Sequence, residues 1–187
     1  MRLKDKIAVV TGATSGIGRA IAVRFAGEGA KVAIVGRNPE RLEEVKKEIE
    51  LKEGSCITIQ TDLSKISNIE MIVQRTTEKF GGLDILVNSA GVFEIADFHD
   101  ITEDFFDKTL SLNTKVAFFM AQKASEVMKK QGKGKIVNIA SHAGGKIGFP
   151  QGSVYCLSKA AVVAMTQALA VELGPGQINV NAISPGT

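Results

Sequence analysis

Short apolar runs recur along the chain, and each is followed by a stretch in which apolar residues return every three or four positions. Ile7–Val10 leads into Gly16–Ala26, where Ile17, Ala20, Ile21 and Phe25 recur at helical spacing. Val32–Val35 leads into Glu40–Lys52, with Leu42, Val45 and Ile49 on one face. Cys56–Gln60 precedes Ile66–Phe80, and Leu83–Val87 precedes a longer helical region that includes Asp104–Lys130. Ile136–Ala140 passes through a glycine-rich loop into Val154–Leu173, and Ile178–Ile183 is the last run. The runs do not alternate apolar with polar, so they predict strands buried on both faces, with the helices between them as crossovers. The pattern therefore predicts an α/β fold, a doubly wound parallel sheet with helices on both faces. No linker, low-complexity segment or repeat interrupts it, and residues 1–187 read as one domain.

Composition narrows the classes. The chain has 187 residues, of which 44% are hydrophobic, enough for a substantial core. A net charge of +3, spread over both signs, argues against a nucleic-acid surface. The densest basic run, Lys129, Lys130, Lys133 and Lys135, sits beside Gly132 and Gly134 and reads as a solvated helix end and turn. No apolar run approaches the roughly 20 residues of a spanning helix, so no membrane partner is expected. Met1–Lys6 is charged and leads into only four apolar residues, Ile7 to Val10, too few for a signal-peptide core. The expected location is cytoplasmic. Cys56 and Cys156 show no metal-binding spacing and read as free thiols, so no metal is expected.

A parallel sheet binds ligands at the carboxyl ends of its strands, near the switch in strand order. The first strand ends in Thr11-Gly12-Ala13-Thr14-Ser15-Gly16-Ile17-Gly18. Glycines there let the backbone approach a pyrophosphate, and the helix that follows offers free N–H groups and partial positive charge. The turn follows a strand and opens a helix, the context that supports a nucleotide site over a plain connection. Other segments follow in order: Asp62-Leu63 after the third strand, Asn88-Ser89-Ala90-Gly91 after the fourth, and Asn113 in the long helical region. Ser141, Tyr155, Lys159 and finally Pro185-Gly186 complete the series. Together they resemble the short-chain dehydrogenase/reductase family over the whole chain, with a Rossmann-like fold. Ser89 departs from the second Asn of that family's NNAG segment.

Tyr155 is the only tyrosine, and Lys159 lies four residues later, on the same face of a helix. Hydride reduction of a ketone leaves an alkoxide that needs a proton. A free phenol titrates near about 10, and a neighbouring ammonium lowers that value. The resemblance implies Tyr155 as acid/base and Lys159 as the group that lowers its pKa and binds the nicotinamide ribose. It implies Ser141 as donor to the substrate oxygen and Asn113 as part of a proton relay through its backbone and a bound water. It also implies cofactor contacts at Gly12, Thr14, Ser15, Gly16, Ile17 and Gly18, at Asp62 and Leu63, and at Asn88, Ala90 and Gly91. Pro185 and Gly186, with Tyr155 and Lys159, close that set. Ser141 and Tyr155 are 14 positions apart, and Gly144-Gly145 makes this loop one residue longer than the family's usual form, which puts the geometry at Ser141 in question. His142 reads as a pocket-wall residue, since no carboxylate is placed to orient it as a base.

After the second strand, Gly36-Arg37-Asn38 carries no carboxylate for a ribose hydroxyl. Arg37 fits a 2′-phosphate, so NADP(H) is expected over NAD(H). Ser15 stands where NADP-preferring relatives often carry a basic residue. The leading expectation is an oxidoreductase acting on a carbonyl or secondary alcohol, with 3-oxoacyl-carrier-protein reductases the nearest pattern and sugar or polyol dehydrogenases next. The alternatives are a non-catalytic nucleotide-binding module of the same fold, or an epimerase or dehydratase on an extended scaffold. The resemblance further implies a homodimer or homotetramer built on Asp104–Lys130 and Val154–Leu173, where Ala160, Ala161, Ala164 and Ala168 allow close contact. Relatives continue beyond Pro185-Gly186 with a substrate-covering loop and a seventh strand. The expectation is thus a fold with its C-terminal strand and substrate loop missing: for a protein that ends at Thr187, weak cofactor binding, self-association and little carbonyl reduction; for a longer molecule of which these residues are part, normal activity.

Overall fold

A computed structural model of the chain describes residues 1–186; Thr187 lies outside the described residues. Six parallel strands form one sheet: β1 (Ile7–Thr11), β2 (Lys31–Gly36), β3 (Ser55–Gln60), β4 (Ile85–Asn88), β5 (Gly134–Ile139) and β6 (Ile178–Ile183). Their spatial order is β3-β2-β1-β4-β5-β6, so the direction of winding reverses between β1 and β4. The helices are α1 (Gly16–Gly27), α2 (Pro39–Glu50), α3 (Asn68–Phe80), α4 (Glu103–Leu110), α5 (Val116–Gln131) and α6 (Ser153–Leu173). The sheet is the expected Rossmann-like, doubly wound one.

Successive strand residues point to opposite faces, and each face has its own core. Ala8, Val10, Val32 and Ile34 pack against Ala22 and Ala26 of α1 and Leu42, Val45 and Ile49 of α2. Val9, Ala33, Val35, Leu86, Ile136 and Val180 face the other way, onto Ile72 of α3, Met120 and Met128 of α5, and Leu169 and Leu173 of α6. Two-sided burial is why the strand runs carry no polar alternation. The segment Ser153–Gly176 is long and apolar enough to cross a membrane, with a mean hydropathy of 1.5. Val162, Thr166, Leu169 and Leu173 are nevertheless buried against the rest of the fold, as in a core helix.

Several elements differ by a residue or two from the expected bounds, and at two places the physical reason is visible. The strand expected from Leu83 begins at Ile85. Leu83 has its backbone satisfied by a side chain instead: its N–H donates to Gln131 Oε1 at 2.9 Å, and its carbonyl accepts from Gln131 Nε2 at 3.1 Å. The single helix expected over Asp104–Lys130 is two helices joined by a widened π-type turn, Ser111–Lys115. That turn carries Asn113, whose side chain is bound to a neighbouring loop.

Candidate active site

A cleft of about 970 Å³ opens at the carboxyl ends of β1, β4 and β5, where the winding reverses. That is the upper end of the range of small-molecule sites, roughly 300–1,000 Å³. At one end is the glycine turn. Gly12 has φ +66°, and a Cβ there would meet the Ala90 backbone at 2.8–2.9 Å. A Cβ on Gly18 would strike the Gly12 carbonyl, so this glycine lets α1 close onto the turn. Gly16, at φ +51°, has nothing within 4 Å of its Cβ position. It presents open backbone at the start of a 12-residue helix whose N-cap, Ser15, makes no capping hydrogen bond with its side chain. Free N–H groups, positive helix-end charge and room for an approaching oxyanion together fit a dinucleotide pyrophosphate. Thr14, Ser15 and Ile17 line the same stretch.

Thr11 locks this turn to β4. Its Oγ1 donates to the Val87 carbonyl at 3.3 Å and accepts from the N–H groups of Ser89 and Ala90, each at 3.1 Å. Ala90 and Gly91 thereby reach the cleft wall. Asn88 does not. It is buried behind the wall, its Nδ2 donating to the Ala117 carbonyl at 3.1 Å and to Asn138 Oδ1 at 2.9 Å. The Asn88 side chain thus braces β4 against β5 and α5. Asp62 is also off the wall, although Thr61 and Leu63 on either side line it. The Asp62 carboxylate accepts from the Ser64 N–H at 3.0 Å. That bond, with smaller help from the charges of Arg37 and Lys65, holds its pKa below the usual value.

At the far side of the glycine turn, Arg37 lines the cleft and is exposed. A second cation, Arg41, lines it too and was not among the expected residues. Asn38 caps α2 by accepting from the Arg41 N–H at 2.7 Å, and Pro39 takes the first helical position, which fixes Arg41 in the first turn. A helix cap, Asn38-Pro39, followed by an arginine in the first turn was the signal available in the sequence.

At the other end stand Ser141, Tyr155 and Lys159, all on the wall. Ser141 directly follows β5, and its Oγ accepts from the Ala143 N–H at 3.2 Å. The extra loop residue does not displace it. The Ser141 carbonyl accepts from the Gly144 N–H at 2.9 Å, and the His142 N–H donates to the Pro185 carbonyl at 3.0 Å, tying the loop to the end of β6. Gly144 lies on α6: a Cβ there would meet the Lys159 carbonyl carbon at 2.6 Å. His142 lines the wall, as expected, and so do Pro185 and Gly186.

Lys159 is 7% exposed, and its Nζ donates to the Ile139 carbonyl at 2.9 Å. It lies 5.9 Å from the centroid of the Tyr155 ring. Burial pushes its pKa down to about 8. Asn113 is off the wall. Its Oδ1 accepts from the Val92 N–H at 2.7 Å, while its Nδ2 donates to the Val92 carbonyl and to Ser158 Oγ, both at 3.0 Å. Ser158 in turn donates to the Tyr155 carbonyl at 2.7 Å. This buried serine was also missed; its polarity in an apolar helix was the only mark it left. Two aromatic residues complete the site. The Phe93 ring meets Tyr155 edge-on, with centroids 4.8 Å apart, and Phe149 lies 6.3 Å from Tyr155.

With this geometry established, the comparisons with known proteins agree on one family. The model of the short chain dehydrogenase family matches residues 6–187. The chain is 44% identical over 183 residues to the NAD-dependent glycerol dehydrogenase of Listeria innocua, covering 98% of this chain and 70% of that protein. It is 40% identical over 187 residues to galactitol 2-dehydrogenase of Agrobacterium fabrum, covering 100% of this chain and 72% of the other. A solved short chain dehydrogenase from Burkholderia cenocepacia J2315, in complex with NADP, matches with a TM-score of 0.95 at 40% identity, covering 100% of this chain and 76% of that one.

Proposed function

The chain belongs to the short-chain dehydrogenase family and is an NAD(P)-dependent oxidoreductase, and from that premise we propose that it moves a hydride between NADP(H) and a secondary alcohol or its carbonyl. The observation that carries this is one cleft holding the open glycine turn at one end and Ser141, Tyr155 and Lys159 at the other. A nicotinamide cofactor held between the glycine turn and Lys159 would supply or accept the hydride. The chain's own residues handle the oxygen. The Ser141 hydroxyl donates to the carbonyl oxygen, where negative charge develops. The Tyr155 hydroxyl gives its proton to that oxygen during reduction and takes it back during oxidation. Lys159 brings a positive charge to 5.9 Å from the centroid of the Tyr155 ring and is mostly protonated at neutral pH with a pKa of about 8. It spends one of its three donors on Ile139, and others remain for a ribose and the phenol. Asn113 acts as a positioning residue, holding Val92 and, through Ser158, the backbone of Tyr155.

Two cations on the cleft wall after β2, Arg37 and Arg41, support the preference for NADP(H), because guanidinium groups pair with a phosphate through charge-assisted hydrogen bonds. The relatives named for glycerol and galactitol support alcohol chemistry at this site. The 187 residues act as one dinucleotide-binding and catalytic domain. The unpaired Cys56 and Cys156 fit a reducing compartment and thus the cytoplasm. Exposed Phe118 on α5 and Leu157 and Val171 on α6 support a homodimer or homotetramer built on these helices.

The test is Tyr155→Phe. Turnover of NADPH with a carbonyl substrate should fall by at least about two orders of magnitude, the reach of a positioned general acid. NADPH affinity, read by its fluorescence, should stay within about twofold. Turnover retained in Tyr155→Phe would move the proton transfer to another group, with His142, also on the wall, the first to test.

A further inference from the structure

We propose that the substrate end of the cleft is built for a secondary alcohol or ketone whose carbinol carbon carries an apolar alkyl or aryl group, rather than for a polyol. The proposal rests on the reading of Tyr155 as the acid/base. Phe93 touches the Tyr155 ring edge-on at 4.8 Å, and Phe149 lies 6.0 Å from Phe93 and 6.3 Å from Tyr155. All three line the cleft, with Ile147 beside them. Phe93 is 65% exposed and Ile147 51% exposed, so large apolar side chains stand open at the mouth beside the proton donor. Apolar surface gathered around a few convergent polar groups is the usual make-up of a small-molecule site.

The polar inventory points the same way. Among the described residues, the cleft wall from Val92 to Gly186 carries four polar side chains, Ser141, His142, Tyr155 and Lys159, and is otherwise apolar or glycine. The nearby carboxylates are off the wall and occupied: Glu94 pairs with Lys108 at 2.8 Å, and Asp97 accepts from Gln151 at 3.0 Å. One hydroxyl of a polyol would find Ser141 and Tyr155. Each further hydroxyl would give up water against phenylalanine, at a loss on the order of tenfold in affinity. An alkyl or aryl group in the same place gains by burial against Phe93, Phe149 and Ile147.

Tyr155 is the only tyrosine, so protein with ring-labelled tyrosine gives NMR signals from the site alone. The protein, with and without NADP⁺, is titrated with 1-phenylethanol, glycerol and galactitol, and oxidation of each is followed in parallel. The Tyr155 signals should shift saturably with 1-phenylethanol at concentrations at least about tenfold below those the polyols need, and kcat/KM should rank the same way. Phe93→Asn should narrow the ratio about tenfold, and Phe93→Leu should restore most of it. The exposure of Phe93 leaves the core intact in both, and melting curves verify that. A polyol that binds more tightly or turns over with higher kcat/KM overturns the proposal, and so does a Tyr155 signal unmoved by 1-phenylethanol. Preferential binding of 1-phenylethanol without turnover upholds the apolar site and refutes the hydride-transfer reading instead.

Discussion

Replacing Lys159 by methionine should stabilise the folded protein near neutral pH, and the gain should fade as pH rises. Lys159 is buried and has one hydrogen bond, to the Ile139 carbonyl, with burial the sole cause of its lowered pKa of about 8. In the unfolded chain the group titrates near about 10.4. The folded state therefore binds fewer protons than the unfolded state between those two values, and the stability of the parent rises with pH across that window. Below about pH 8 the buried ammonium costs the fold about 3 kcal/mol, since each pKa unit is worth about 1.4 kcal/mol. Methionine fills similar space and carries no charge. It forfeits the Ile139 bond, about 1 kcal/mol, at every pH. The stability of Lys159→Met minus that of the parent should then fall by about 2–3 kcal/mol from pH 7 to pH 10. Urea unfolding at several pH values measures the difference. A difference that stays constant with pH would refute the claim that Lys159 is held by burial against its own charge.

Further variants test other parts of the site. Arg37→Asp and Arg41→Asp should each weaken NADPH at least about tenfold more than NADH, because each replaces a phosphate partner with a like charge; equal losses in nucleotide titrations would remove the 2′-phosphate assignment. Gly144→Ala should lower stability by about 1–3 kcal/mol and reduce turnover, since its methyl group would press on the Lys159 backbone at 2.6 Å. Gly148→Ala, with nothing within 4 Å, should leave melting temperature unchanged, and equal behaviour of the two variants would show that the loop does not bear on α6.

The sheet was legible because its strands are buried on both faces, which leaves apolar runs no polar position to blur them. The break between α4 and α5 was not, since Leu112-Asn113-Thr114 fits an ordinary helix; the widened turn comes with the bonds Asn113 makes to Val92, far away in sequence. The glycine turn, Ser141, Tyr155 and Lys159 were legible as a motif in the right order along a predicted sheet. Motif position did not tell which way two side chains turn: Asn88 bonds inward to Asn138, and the Asp62 carboxylate accepts from the Ser64 N–H. Phe93 and Phe149 converge on Tyr155 from two separate loops, and no spacing rule links such residues.

The central claim is that hydride crosses this cleft while Tyr155 handles the proton. The most direct measurement gives the protein NADPH deuterated at the transferable position, together with an aryl methyl ketone, and reads the alcohol by mass spectrometry. The account predicts alcohol with one deuterium on the carbinol carbon, formed at least about a hundredfold more slowly by Tyr155→Phe. Alcohol without that deuterium, or formed equally fast by Tyr155→Phe, would contradict it.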